Sequence, residues 1–497
     1  MTNFNRRRLI QLCSSISAWT LAQSSRKQAA AQTRAGRAQV KLRKPYIAIQ
    51  VPPFCWKDEG TEKVLDIIQE KGRVNTIWAY TYTYEHRRLT AAEIPDHGKV
   101  AFEKSYNGGS FCDYDPKYFR NTILDDFRSP DYDGINVIAE VVPKAKARGM
   151  DFICWDYNNA FPNLQANMKN ASRVMEIDVY GKRRNSSCFN NQDFRNHLFG
   201  KIENYLKTYP DVTGIAWGCE REGPLGNTIK RDRTTCFCGD CQAKGRERGI
   251  SVERAKQGYL ALIALFQASR QDHRPNDGYF VAFWRLLLEY PEILAWEKLW
   301  TDSYHEVRSE LYGIAKSIAP EKPFGWHIWH PATFDPFYRA EENYAVTKQY
   351  ADFFKPAIYN NSGGPRMAEF INQWCATIFH DAKPADIMPL YYKIMNYEHE
   401  QPHDKLSTSG LSADYVFRET KRIIASVNKD AAVYPGIDID VPTQEAQKRT
   451  TPEDVFNSVK AAFSAGADGV VLSRRYSEMH FANLEAAGKA MKELGVA

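Results

Sequence analysis

Apolar residues along the chain gather into short runs separated by longer amphipathic stretches. The runs are rich in β-branched and aromatic residues, which suit strands. They are YIAIQV (46–51), VNTIWAYTY (74–82), DFICWD (151–156), VTGIAWG (212–218), PFGWHIW (323–329), DFFKPAIY (352–359), IMPLYYKIM (387–395), VYPGIDID (433–440) and DGVVLSRR (468–475). Between them lie helix patterns such as EKVLDIIQEKG, FRNHLFGKIENYLKTY, DYVFRETKRIIASV and PEDVFNSVKAAFSAG, two of which close on a glycine suited to a helix C-terminus. Strand and helix alternating in this order predict an α/β fold with a parallel sheet and right-handed crossovers. Eight such units close a TIM (β/α)8 barrel, and 497 residues leave room for insertions. Nine candidates exceed eight, so one is an excursion, most simply 387–395. The stretch 251–319 predicts a helical insertion between strands 4 and 5. An open doubly wound sheet is the rival, but neither G-x-G-x-x-G after the first strand nor a Walker motif occurs, and nucleotide binding has no support.

The first residues break this pattern. Arg6, Arg7 and Arg8 precede a modestly apolar LIQLCSSISAWTLA, then Arg26, Lys27 and the small residues Ala29 to Ala31. The order predicts a twin-arginine export signal over 1–31, a polar basic linker over 32–44 and the barrel over 45–497, with a periplasmic or extracellular destination. A disordered basic tail is the alternative. The formal charge is +6, of which those five basic residues account for five, leaving +1. So small a charge gives no electrostatic case for nucleic acid. No apolar run approaches the ~20 residues of a membrane-crossing helix.

Chemistry concentrates where the predicted strands end, which is where barrel enzymes place it. Tyr80 and Tyr82, Asp156 and Tyr157, Glu220 and Glu222, His327, Trp329 and His330, Tyr359 and Asn360, Asp438 and Asp440, and Arg474 and Arg475 all stand there. Aromatic faces with carboxylates and imidazoles suit a carbohydrate, whose hydroxyls need hydrogen bonds and whose ring faces are apolar. The aromatic share of 13% supplies such faces, although bulky cores use them too. Glu220 closes an apolar strand, so desolvation should raise its pKa and suit it to proton donation; ion pairing with Arg221, Lys230 or Arg231 is the alternative. Arg366, Arg474 and Arg475 are candidates to contact an acidic sugar, or to form salt bridges at the rim. HEQPH (399–403) matches H-E-x-x-H in letters, but Pro402 breaks the helix that motif needs. Cys236, Cys238 and Cys241 form C-x-C-x-x-C, a metal-knuckle spacing, with a disulfide such as Cys236–Cys241 as the other reading. The isolated Cys55, Cys112, Cys154 and Cys375 read as buried thiols.

YPDVTGIAWGCEREG (209–223) followed by CFCGDC (236–241) resembles the segment of glycoside hydrolase family 42 β-galactosidases that carries the acid/base glutamate and, soon after, a zinc-binding cysteine knuckle. GKRRNSSCFNNQDFR (181–195) resembles that family's stretch with the fourth zinc cysteine, and FVAFWRLLLEYPEILAWEKLWTDSY (280–304) its Trp-rich helical segment. The resemblance spans roughly 180–305. It implies a distant clan A barrel with Glu220 as acid/base and a structural zinc on Cys188, Cys236, Cys238 and Cys241, whose four thiolates leave no open position. The clan also places a nucleophilic glutamate at the end of strand seven. Here VYPGIDIDVP supplies Asp438 as partner, with Asp440, Glu398 and Glu400 as rivals, and Cys219 precedes Glu220 where the clan usually has Asn. A shorter aspartate admits an inverting mechanism, with carboxyls ~6.5–9.5 Å apart. The expectation is an exported glycoside hydrolase; a catalytically inactive carbohydrate-binding barrel and a histidine-based metallohydrolase are the alternatives.

Overall fold

Eight parallel strands close on themselves: β1 (Tyr46–Val51), β2 (Thr76–Thr83), β3 (Asp151–Tyr157), β4 (Gly214–Gly218), β5 (Phe324–Ile328), β6 (Phe353–Ile358), β7 (Gly436–Asp438) and β8 (Gly469–Ser473). Each pairs in parallel with the next, and β8 returns to β1 with Tyr46 opposite Gly469. This is the predicted TIM barrel. The computed structural model describes residues 40–83, 95–97, 108–125, 128–129, 135–158, 168–231 and 234–496. The export signal read over 1–31 and most of the linker read over 32–44 lie outside the described residues. Leu42–Ala497 forms one compact unit.

The lumen is filled from alternate strand positions. Tyr46, Ala48, Trp78, Tyr80, Ile153, Trp155, Tyr157, Ala216, Phe353, Tyr434 and Val471 pack together there, while the opposite faces meet the surrounding helices. Aromatics this large fit because neighbouring strands carry glycine. A Cβ on Gly325 would lie 2.2 Å from the Phe353 ring. The buried Trp78 Nε1 donates to the Tyr46 hydroxyl at 2.6 Å.

Three departures from the sequence reading have physical causes. IMPLYYKIM belongs to the helix Pro384–Met395 and is no strand. Its buried residues Met388, Tyr391, Tyr392 and Met395 follow helical spacing, while Leu390 and Ile394 are exposed. The helical insertion begins earlier than 251, with helices at Pro224–Arg231 and Gly239–Glu247 before Val252–Ser269 and Tyr279–Glu289. Its last predicted part is the barrel's own helix, the 27-residue Glu292–Ile318 that leads into β5. The seventh strand is also broken. Ala432–Val433 pairs with β6, Pro435 intervenes without an N–H to give, and β7 keeps three residues. Among the described residues, no helix is long and apolar enough to cross a membrane.

Candidate functional site

A cavity of about 590 Å³ opens where the strands end, the face on which barrel enzymes act. Its walls include Tyr80, Tyr157, Glu220, Glu222, His327, Trp329, His330, Tyr359, Arg474 and Arg475, so ten of the residues singled out at strand ends are gathered at one place, with Trp155 among the additions.

Glu220 leaves the end of β4 into this cavity, its side chain 23% exposed. His327, on β5, meets it with Nε2 2.9 Å from Oε1. Burial pushes the Glu220 carboxyl up, but the hydrogen bonds from His327 and Tyr157 and the Arg366 guanidinium outweigh burial and hold it below the usual glutamate range. The expectation of a raised, proton-donating Glu220 therefore reverses: the group rests as a carboxylate. Desolvation of the strand end was foreseen; the donors that compensate it come from other strands. His327 itself is pushed down to about 4 by burial and by the nearby Lys355, so its ring is neutral.

Lys355 was missed by the sequence reading. It points into the barrel from the middle of β6 and is completely buried. Its Nζ donates to the Tyr359 hydroxyl at 2.9 Å and faces His327 Nδ1 at 3.4 Å. A Cβ on Gly436 would lie 2.5 Å from Lys355 Cε, so β7 makes room for the lysine by carrying glycine. Burial drives the ammonium down to about 7, with the Glu220 charge pulling the other way. A lysine that donates at Nδ1 leaves the proton of the neutral His327 ring on Nε2, pointed at Glu220. The usable signal was a lysine within an apolar strand together with a glycine on the next.

Further up the wall, Glu222 pairs with Lys230, which also reaches Asp335. Glu369 stands exposed on the helix Gly363–Cys375, where it accepts from Gln373 Nε2 at 3.0 Å. Among the described residues, Glu220, Glu222 and Glu369 are thus the carboxyl groups that line the cavity.

Five expected site residues lie away from its walls. Strand β2 bulges between Tyr80 and Tyr82, so the two no longer share a face, and Tyr82 turns outward opposite Asp156. Asp156 is there held by Lys201 at 2.8 Å and by the Tyr205 hydroxyl at 2.7 Å, with Lys201 Nζ 3.6 Å from the centre of the Tyr82 ring. Asn360 is buried against Leu411, whose N–H bonds the Asn360 carbonyl oxygen at 2.8 Å. Asp438 is fully buried, and its two oxygens accept from the N–H groups of Ser362 and Val441, both at 2.9 Å. Asp440 accepts from His480 N at 2.7 Å and Asn483 Nδ2 at 2.9 Å. Of the rivals, Glu400 accepts from Ser412 N at 2.8 Å at a helix start, and Glu398 is exposed.

The cysteines converge elsewhere. The Sγ atoms of Cys188, Cys236, Cys238 and Cys241 lie within 4.8 Å of one another, and all four residues are buried. Cys188 is 3.4 Å from both Cys238 and Cys241, far beyond a disulfide bond, and all nine described cysteines are free thiols. Asn190 directs its backbone N–H at Cys188 Sγ and its side-chain amide at Cys241 Sγ, both at 3.3 Å, as donors around metal-bound thiolates do. Such a cluster is compatible with a metal ion. Cys219 stands apart from it.

No protein-family model and no curated protein matches the chain. Among solved structures, the β-galactosidase of the psychrophilic Marinomonas ef1 superposes with a TM-score of 0.50 at 12% identity, covering 91% of this chain and 61% of that one. The β-galactosidase of the Antarctic haloarchaeon Halorubrum lacusprofundi gives 0.50 at 13% identity, covering 91% and 58%. The chain spans about three fifths of the length of these two structures. At such identities the likeness is one of fold, a TIM barrel, in accord with the distant resemblance read around 180–305.

Proposed function

We propose that the chain is a glycoside hydrolase whose sugar site is the cavity at the C-terminal mouth of the barrel, with Glu220 as its reacting carboxylate. The observation that carries the reading is the placement of Glu220: a half-buried carboxylate at the end of β4, oriented by His327 in a cavity walled by Trp155, Tyr157, Trp329 and Tyr359. Hydrolysis of a glycosidic bond needs one carboxylate to attack the anomeric carbon or activate water, and one acid to protonate the leaving oxygen. A resting carboxylate suits the first role. The acid is then assigned to Glu369, which lines the cavity, since Glu222 is held ionised by Lys230. Asp438, with both oxygens engaged by backbone N–H groups, acts on the site by fixing the loop after β6.

Two further parts of the proposal concern the rest of the chain. Four thiolates around zinc at Zn–S distances of about 2.3 Å stand about 3.8 Å apart, close to the spacing of the cysteine cluster, and would fill the metal's coordination shell. The site is therefore assigned a structural zinc. Export rests on Arg6 to Arg8 and the apolar stretch that follows.

A catalytically silent sugar-binding barrel is the second reading, favoured by the absence of any β7 carboxylate from the cavity walls. Wild type and Glu220→Gln assayed on a panel of aryl glycosides separate the two. The first reading expects turnover that falls by about a hundredfold or more in the variant while sugar binding persists. Binding without turnover by the wild type on every substrate would favour the second.

A further inference from the structure

Arg366 is a cation in the cavity wall that no carboxylate among the described residues pairs with directly, although its charge is felt at Glu220 beyond ion-pair distance. It lies in the first turn of the helix Gly363–Cys375, half-buried, and lines the cavity. Among the described residues its guanidinium has one hydrogen-bond partner, His330 Nδ1 at 3.0 Å, and no ion pair. Lys230 differs, being neutralised by Glu222 and Asp335. Glu369, one turn from Arg366 on the same helix, turns to Gln373 instead.

The partner of Arg366 is itself fixed. His330 is buried, with Nε2 3.1 Å from the Tyr415 hydroxyl, and that hydroxyl donates onward to Thr333 Oγ1 at 2.7 Å. Tyr415 has then spent its proton and accepts from Nε2–H, which leaves Nδ1 as a lone pair facing Arg366. Burial and the Arg366 charge keep the ring neutral. A neutral ring fixes one corner of the guanidinium and gives it no direct counter-ion. A guanidinium aimed by a neutral acceptor matches a planar carboxylate in geometry and charge. Gln373, Thr443, Gln444 and Gln447 on the same wall offer partners for sugar hydroxyls.

We infer that the cavity selects an acidic sugar, a uronic acid residue whose carboxylate is received by Arg366. The inference rests on the sugar-site reading above and adds the substrate class to it.

Titration calorimetry on the full chain tests it with galacturonic and glucuronic acid disaccharides, the neutral galactose and glucose disaccharides of the same linkage, and their 6-sulfated forms. The wild type should bind uronates about tenfold or more tighter than neutral sugars. Raising NaCl should erode that preference without weakening neutral binding. In Arg366→Gln the two classes should become equal, and Arg366→Lys should restore part of the preference. The wild-type preference and its salt dependence need no variant to fold. Neutral sugars bound as well as uronates by the wild type, sulfated sugars bound in preference to uronates, or a preference unchanged in Arg366→Gln would each overturn the inference. Failure of all three classes to bind would instead remove the sugar-site reading beneath it.

Discussion

Replacing Lys355 by methionine should stabilise the protein at neutral pH and do so less as pH rises. The ammonium is completely buried, and its pKa falls from 10.5 to about 7 because burial disfavours the charge more than Glu220 favours it. Between those values the unfolded chain carries the proton and the native protein does not, so native stability rises with pH across that window. A depression of this size corresponds to about 5 kcal/mol by which the buried lysine destabilises the fold at and below pH 7. Methionine fills similar space without a charge, but it gives up the bonds to Tyr359 and His327, at about 1–3 kcal/mol. Lys355→Met should therefore gain about 2–4 kcal/mol at pH 7. From pH 7 to 9.5 the wild type recovers about 3 kcal/mol that the variant has no means of recovering. Urea unfolding of both proteins at pH 7, 8, 9 and 9.5 measures the difference, and the titrations common to both cancel. A difference that stays constant over this range, or a variant less stable than wild type at pH 7, would refute the reasoning.

Removing the His327 ring with His327→Phe should move the acid limb of the kcat/KM profile upward, because burial then raises Glu220 without its main compensating donor; an unmoved limb would exclude Glu220 as the group that titrates. Stripping metal with a strong chelator, or making Cys241→Ser, should remove about one zinc per chain and lower the melting temperature, read by elemental analysis and calorimetry. Protein that contains no metal as isolated, with those thiols oxidised, would refute the zinc site. Asp156→Asn should cost about 3–5 kcal/mol by leaving Lys201 buried without its counter-charge, with sugar affinity unchanged in the folded fraction; lost affinity in stable protein would place Asp156 in the site after all.

The barrel was legible because its strands are buried on both faces and read as near-continuous apolar runs. The same feature blurred 387–395, where β-prone letters conceal a helical burial period. The mouth of the barrel was legible as a place, since strand ends point there whatever the sequence. Which side of a strand a residue takes was less so. One extra residue between Tyr80 and Tyr82 sends the second ring outward, and a pattern counted in twos does not register a bulge. Asp438 shows a different limit. Its position at the end of β7 was read correctly, yet its carboxylate is engaged by the N–H of Ser362, 76 residues away, which no local pattern announces.

The two halves of the segment 217–241 are mechanically connected, so under the proposed function the cysteine cluster would bear on the chemistry. Arg221 stands between Glu220 and Glu222. Its Nη1 donates to the Ser187 carbonyl at 2.7 Å, it pairs with the buried Glu176, and its guanidinium lies 4.3 Å from the centre of the Phe189 ring. Ser187 and Phe189 flank Cys188, so the residue between the two cavity glutamates is anchored on the strand and turn that carry one cysteine of the cluster. Trp296 Nε1 donates to the Cys236 carbonyl at 3.2 Å, and Tyr304, two turns further along the same helix, donates to the Cys219 carbonyl at 3.3 Å beside Glu220. A metal at the four thiolates would thus restrain the loop after β4 from both sides. Loss of the clamp should loosen Glu220 in position while leaving His327, which comes from β5, in place. Catalysis depends on holding such a carboxylate within about half an ångström of its working geometry. Metal-depleted protein that stays folded should therefore lose turnover number more than substrate affinity.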